Sequence, residues 1–309
     1  MRVFISGGLG QIGSHVAEAY LHRGDDVQVM DDLSTGRRGH LTDHPKLHTF
    51  IGTISDRASV FSVMEKFRPE VVVHAAASFK NPHDWYNDTM TNCVGGINLI
   101  QASEKLDVKR FTYLQTSLCY GQATDSSPIT LAHEIKPSGS SYAISKTVTE
   151  YYLQLSKLDF VSFRLANVIG PRNVAGPLPI FYQRIKNGTP CIITNTKRDF
   201  VDVRDLTRLI LQAGDGIGNG FYHFSSGRSI WIKELYELIK TSLPLCPNIA
   251  PILRDKANDD VFDILLDPSK TMNDFGTIRF TPLKTTIGDA IAYYEQHGIK
   301  NEFTHLQIK

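Results

Sequence analysis

Cysteine is scarce in this chain and does not cluster. The four cysteines, Cys93, Cys119, Cys191 and Cys246, stand far apart and form no C-x-x-C pair. That argues against a zinc ribbon or a redox dithiol and predicts reduced thiols in a cytoplasmic protein. An excess of one charge is lacking too: 33 basic residues stand against 32 acids, a net charge of +1. No global field would gather nucleic acid or an anionic membrane, so neither is expected as a partner. No apolar run is long enough to span a bilayer, and RVFIS opens a strand without the basic and apolar regions of a secretion signal. Solenoid repeats, heptads and low-complexity linkers are missing. The eleven histidines read as scattered, and no metal is expected.

What is present is an ordinary globular composition, 309 residues with 41% hydrophobic and 21% charged. Strand-like runs at 2–6, 26–31, 47–52, 71–76, 110–116 and 160–166 alternate with helix-like segments such as QIGSHVAEAYLHRG, ASVFSVMEKF and CVGGINLIQASEKL. VVVHAAA is apolar without alternation, as a strand covered on both faces should be. The alternation predicts an α/β chain with a Rossmann-like, doubly wound parallel sheet. The rhythm breaks near residue 168, where Pro171, Pro177, Pro179 and Pro190 punctuate loops. The expected division is a dinucleotide-binding domain over 1–167, with about 198–225 returning to it, and a smaller mixed α/β substrate lobe over 168–309.

Directly after the first strand comes GGLGQIGSH, with Gly7, Gly10 and Gly13 spaced G-x-x-G-x-x-G. Between a strand and a helix, such a loop lets backbone N–H groups and the helix N-terminus approach a pyrophosphate. Asp31 closes the second strand 18 residues past Gly13, near the offset of an acid that grips ribose hydroxyls. An aspartate there disfavours a 2′-phosphate and selects NAD, although Arg37 and Arg38 nearby would suit NADP.

The segment SSYAISKTVTEYYLQL sets Tyr142 and Lys146 four apart, on one helical face. A tyrosine has a pKa of about 10 and is a poor base at neutral pH. An adjacent ammonium, and the positive ring of an oxidised nicotinamide, favour the phenolate and turn it into a base for an alcohol proton. Thr116 ends the fifth strand in LQTSLCYG, followed by Ser117 and Leu118.

With these motifs the chain resembles the extended short-chain dehydrogenase/reductase family, the NAD-dependent nucleotide-sugar epimerases and dehydratases, over nearly its whole length. The matching segments are GGLGQIG, DDLSTG, HAAA, Asn92 in TMTNCVGG, TSLCYG, the Tyr142–Lys146 pair, RLANVIGPRN and RDFVDVRDL. The resemblance implies that Gly7, Gly10, Gln11, Ile12 and Gly13 hold the pyrophosphate. Asp31, Asp32, Leu33, Ser34, Thr35 and Gly36 would wrap the adenosine, with Thr53 and Ile54 nearby. Ala75, Ala76 and Ala77 would face the cofactor, Asn92 would support it, and Lys146 would reach the nicotinamide ribose. Thr116, Tyr142 and Lys146 would be catalytic. Asn167, Leu178, Ile193, Arg198 and Asp260 would bind a nucleotide sugar, most simply a UDP-sugar. Relatives of this kind form homodimers through the Tyr142 helix, where Tyr151 and Tyr152 also lie, and serve surface-polysaccharide synthesis.

Three departures stand out. Thr53 replaces a frequent acid, Ala257 falls where an arginine is usual, and Ile264 sits at a position that gates the sugar 2-substituent in some 4-epimerases. Relatives that are 4,6-dehydratases carry Asp-Glu after the threonine, to expel water; here Ser117 and Leu118 supply neither acid nor base. The expected activity is C4 epimerisation through a 4-keto sugar. The rivals are a 4,6-dehydratase, a 4-ketoreductase, a decarboxylase or uronic-acid epimerase, or an NAD-binding regulator without catalysis.

Overall fold

A computed structural model of the chain describes residues 1–79, 81–121, 128–247, 249–255 and 262–299. Strands β1 (Arg2–Ser6), β2 (Asp26–Asp31), β3 (Leu47–Ile51), β4 (Val71–His74), β5 (Arg110–Thr116) and β6 (Phe160–Leu165) come first. The short strands β7 (Asn167–Ile169), β8 (Ile192–Thr194), β9 (Lys197–Arg198) and β10 (Phe200–Asp202) precede β11 (Gly220–Phe224), β12 (Ile230–Trp231) and β13 (Ile252–Arg254). Between them run helices α1 (Gln11–Arg23), α2 (Arg57–Phe67), α3 (Trp85–Asp88), α4 (Gly95–Lys105), α5 (Ser141–Leu155), α6 (Pro177–Lys186), α7 (Val203–Gly214), α8 (Ile232–Thr241), α9 (Ser269–Phe275) and α10 (Leu283–His297).

The central sheet has seven strands in the order β11-β6-β5-β4-β1-β2-β3, all paired in parallel. This is the doubly wound sheet expected from the alternation. Successive residues of β1 show why the strand reads as unbroken apolar. Val3 and Ile5 pack with Val16, Tyr20 and Leu206 under α1 and α7, while Phe4 packs on the other face with Met30, Leu99 and Leu153 under α2, α4 and α5. Burying each such side chain contributes about 1.5–3 kcal/mol, which commits both faces. The register sets Ser6 opposite His74 and Thr116 opposite Leu165, so the carboxyl ends of β1, β4, β5 and β6 share one sheet edge. Ligands bind at this edge in open α/β sheets.

After β6 the chain alternates between sheet and lobe. β7 pairs in parallel with β10, α7 packs on α1, and β11 joins the sheet beside β6. Helices α6, α8 and α10 enclose a separate apolar core that includes Leu178, Phe181, Leu235, Ile239, Ile287 and Ile291. Pro177 opens α6 with its φ preset for a helix. Ser140 caps α5, its hydroxyl accepting from the Ala143 N–H at 3.3 Å. That fixes the start of the helix carrying Tyr142 and Lys146. Among the described residues no helix is long and apolar enough to cross a membrane.

Candidate active site

The glycine loop is built by exclusion. Gly7 has φ +66°, and a Cβ there would lie 2.7 Å from the backbone of Ala76. A Cβ on Gly13 would sit on the Gly7 carbonyl. Only glycine lets the loop, the β4 end and the first turn of α1 come this close. They frame a cavity of about 270 Å³ along the sheet edge. Of the residues expected at a cofactor, Gly7, Gly10, Gln11, Ile12, Gly13, Asp31, Asp32, Ser34, Thr35, Thr53, Ile54, Ala75, Ala76, Ala77, Thr116, Tyr142 and Lys146 line it.

Leu33, Gly36 and Asn92 are outside that lining. Leu33 adopts φ +62° and donates its N–H to Asp31 Oδ1 at 2.8 Å. Gly36 lets the loop pass Asp31, since a Cβ there would approach Oδ1 to 2.6 Å. Asp31 thus has a second task that its sequence position did not reveal. Its Oδ2 also accepts from the Leu9 N–H at 2.9 Å, so it clamps the glycine loop to the β2 turn. Burial raises its carboxyl pKa, and these backbone donors oppose the rise. Asn92 is buried on the π-helical turn Thr89–Val94. It accepts from the Ser78 N–H at 2.8 Å and donates to the Ser78 carbonyl and the Ser145 hydroxyl, each at 2.9 Å. It braces the loop after β4 against α5.

Thr116 and Tyr142 both line the cavity where β5 ends and α5 begins, and the Thr116 hydroxyl pulls the Tyr142 phenol pKa down. The expectation that the lysine ammonium dominates the tyrosine's acidity does not describe this arrangement. Burial pushes the Tyr142 phenol up to about 12, against the pull of the Thr116 hydroxyl, with the Asp88 charge raising it further. The Lys146 ammonium lies 4.2 Å over the Tyr113 ring. Burial brings its pKa down to about 7, opposed by Glu150 one turn further along α5. Tyr113 Oη and Gln115 Nε2 both donate to the Lys146 carbonyl, at 2.8 and 3.2 Å, and tie α5 to β5. Glu150 is itself fully buried. It accepts from Arg164 at 3.0 Å and from the Ser162 hydroxyl at 2.6 Å, anchoring the helix to β6. The site therefore holds a protonated phenol, a hydroxyl beside it and an amine poised to change charge near neutrality.

The substrate-lobe residues are placed differently. Asn167 is exposed at the start of β7 and donates to the Asp199 carbonyl at 3.1 Å. Arg198, half-buried in β9, donates to the Lys197 carbonyl at 2.6 Å. Asp199 pairs with serines rather than with Arg198: its Oδ2 accepts from the Ser225 hydroxyl and the Ser226 N–H, each at 2.7 Å. Leu178 and Ile193, expected to line the nucleoside, lie inside the lobe's apolar core instead. Their periodic neighbours pack inward with them, and the shared apolar face is spent on folding. Asp260 and Ala257 lie outside the described residues. Ile264 is buried with Cys119, Tyr120, Ile129 and Leu266.

Phe79, Thr91, Gln115, Leu165, Ala166, Val168 and Asn173 also line the cavity, and nothing in their local sequence singled them out. RLANVIGPRN marked the stretch but not which side chains turn inward. His40, His44 and His48 do stand four apart, a spacing the scattered reading passed over. They fall on a 3₁₀ turn, a loop and a strand rather than one helical face, and His40 Nδ1 is bonded to the Leu9 carbonyl at 2.7 Å.

Comparison with known proteins fits this geometry. The NAD dependent epimerase/dehydratase family matches residues 3–220. The Bordetella bronchiseptica enzyme WbmH, solved with NAD+, is 53% identical and superposes with a TM-score of 0.93 over 96% of this chain and 99% of its own. WbmG of the same organism, solved with NAD and UDP, is 36% identical with a TM-score of 0.90, over 100% of this chain and 99% of that one. A putative UDP-glucose 4-epimerase of Methanocaldococcus jannaschii is 29% identical over 287 residues, 87% of this chain and 90% of that protein.

Proposed function

The chain belongs to the NAD dependent epimerase/dehydratase family, and from that membership we propose that it is a nucleotide-sugar 4-epimerase, acting on a UDP-sugar with NAD as cofactor. The observation that carries the reading is the end of β5. Thr116, Tyr142 and, one turn on, Lys146 face one cavity, while the two positions after Thr116 hold Ser117 and Leu118. Leu118 packs against the apolar cluster around Cys119. Groups to move a proton at one hydroxyl are present; an acid–base pair for expelling water is not supplied at these positions. Relatives named UDP-glucose 4-epimerase, and the UDP held by WbmG, support the substrate class.

The glycine cradle and Asp31 fit a dinucleotide. Gly7, Gly10 and Gly13 would take the pyrophosphate, Asp31 the adenosine ribose, and Lys146 the nicotinamide ribose. When bound, NAD supplies a hydride acceptor that returns what it takes, along with positive charge beside the phenol. Tyr142, protonated at rest because of its burial, would lose that proton to solvent beside the bound cofactor's charge, and the phenolate would then take the sugar O4 proton and return it when the 4-keto group is reduced. Thr116 orients O4 and relays the proton to Tyr142. Arg198 and Asn167 would anchor the diphosphate while the 4-keto sugar turns over and is reduced on its other face. The exposed Ile144, Tyr151, Tyr152 and Leu155 of α5 offer the apolar face of a homodimer. NMR of the purified protein with a panel of UDP-sugars, acetamido and uronic forms included, tests the reading. Inversion at C4 is the expected result; a 6-deoxy-4-keto product would sink it.

A further inference from the structure

The mechanism leaves one buried acid unused. Asp88 ends helix α3 with 1% of its surface exposed. Its Oδ1 accepts from the Ser78 hydroxyl at 2.9 Å, and that hydroxyl accepts from Asn87 Nδ2 at 3.1 Å. Ser78 is locked on its backbone side by Asn92, which continues to the Ser145 hydroxyl; that hydroxyl in turn donates to the Tyr142 carbonyl at 3.0 Å. A hydrogen-bonded chain thus runs from Asp88 to the first turns of α5. The residue after Ser78 is Phe79, whose ring stands edge-on to Tyr142 at 6.4 Å. Helix α3 packs directly on α5.

We infer that Asp88 is a positioning residue for Tyr142: its buried carboxylate stands on the helix packed against α5, and its bond to Ser78 holds Phe79 edge-on to the ring. This deepens the epimerase reading and rests on it for the role of Tyr142. In a reaction that removes a proton and later returns it, the phenolate must take up the O4 proton and release it again within each turn. A buried carboxylate on α3, packed against α5, opposes the ionisation that a bound cofactor's positive charge would favour, so the phenol neither stays ionised nor refuses to ionise. The other groups facing Tyr142 act differently. Thr116 on β5 stabilises the phenolate by hydrogen bonding. Lys146 on α5 is an amine poised to change charge near neutrality, and Tyr113 on β5 and Cys93 on the π-helical turn are neutral, held so by burial. Asp88 is the negative group among the causes that shift Tyr142.

Asp88→Asn keeps an acceptor for Ser78 and removes the charge. In NAD-loaded protein, the phenolate absorbance of Tyr142, read as the difference between each protein and the same protein carrying Tyr142→Phe, should titrate about half a unit to one unit lower in Asp88→Asn. The acidic limb of the kcat/KM profile should move by the same amount. Ser78→Ala, which leaves the charge in place, should lower kcat and leave the midpoint within a few tenths of a unit. If Asp88→Asn does not fold, Asp88→Ala is read in the same way. Identical midpoints with and without the carboxylate, at whatever rate, overturn the inference. An inactive wild-type protein whose phenol still responds to Asp88 would refute the epimerase reading and support this one.

Discussion

The two halves of the molecule treat charge in opposite ways. The sheet half buries it: Asp31, Asp88, Lys146, Glu150 and Arg164 are all at least nine-tenths covered, and each is held by named partners. The lobe built on α6, α8 and α10 fills its core with Leu, Ile, Phe and Tyr; the buried carboxylates beside it, Asp199 and Asp202, stay outside that core, and Asn167 and Arg198 lie near its edge. Burying charge carries a large desolvation cost, offset only by good geometry and multiple hydrogen bonds. The same low dielectric makes each charge act strongly on its neighbours. The reaction end is therefore stiff and electrically tuned. On the proposed reading the lobe would hold a nucleotide while its sugar turns, and an apolar core with polar groups at its edge would suffice.

The strongest way to break this contrast is Tyr142→Phe. It removes one hydroxyl from the tuned half and should cut turnover at least 10³-fold, while leaving NAD affinity within about threefold. Steady-state rates and an NAD titration check both arms. Retained turnover would end the assignment of Tyr142 as the base. Leu178→Ala makes the matching cut in the lobe. It should cost about 2–5 kcal/mol of stability through a cavity in the core, read by denaturant unfolding, with kcat unchanged under conditions where the protein stays folded. A loss of kcat without a loss of stability would mean that Leu178 touches the nucleotide after all.

Which residues could be read from the chain follows the same division. Gly7, Gly10, Gly13 and the Tyr142–Lys146 pair were legible because their meaning is local. A glycine spacing records where backbone must approach, and a four-residue spacing fixes a shared helical face. Asp31 was legible as an acid at a strand end, but its clamp on the Leu9 N–H depends on how the loop closes. Asp88 carried no local signal, because its role passes through Ser78, on a loop ten residues earlier. Leu178 and Ile193, expected at the nucleoside, are packed in the lobe core for a related reason. PLPIF and CIIT are apolar on more than one side, and local periodicity does not say whether an apolar face meets a ligand or α8. Charge placed by local geometry could be read, whereas apolar surface placed by tertiary packing could not.

A smaller effect tests the lobe edge. Arg198→Lys keeps the charge and loses the planar fork, so it should raise KM for the nucleotide sugar about tenfold with kcat within twofold. An equal fall in kcat would bring Arg198 into the tuned half and blur the contrast.

The smallest effect is the most direct measure of what burying charge costs. Lys146 titrates near 7 in the folded protein and near 10.4 when unfolded. Between those values the unfolded chain binds more protons, so cofactor-free stability should rise with pH from about 7 to 10 on account of this residue. Below pH 7 both states are protonated and the full penalty applies. Lys146→Met removes the penalty. At pH 6.5 the variant should be more stable than the parent by roughly 1 kcal/mol, the low end of what replacing a buried charge yields, since Glu150 and the Tyr113 ring already offset part of it. At pH 9 that gap should close or change sign, because the parent gains about 1.4 kcal/mol per pH unit above 7. Thermal unfolding of both proteins at the two pH values reads it directly. A gap that widens with pH would mean the amine is stabilised in place, and the sheet half would not bear the cost that distinguishes it from the lobe.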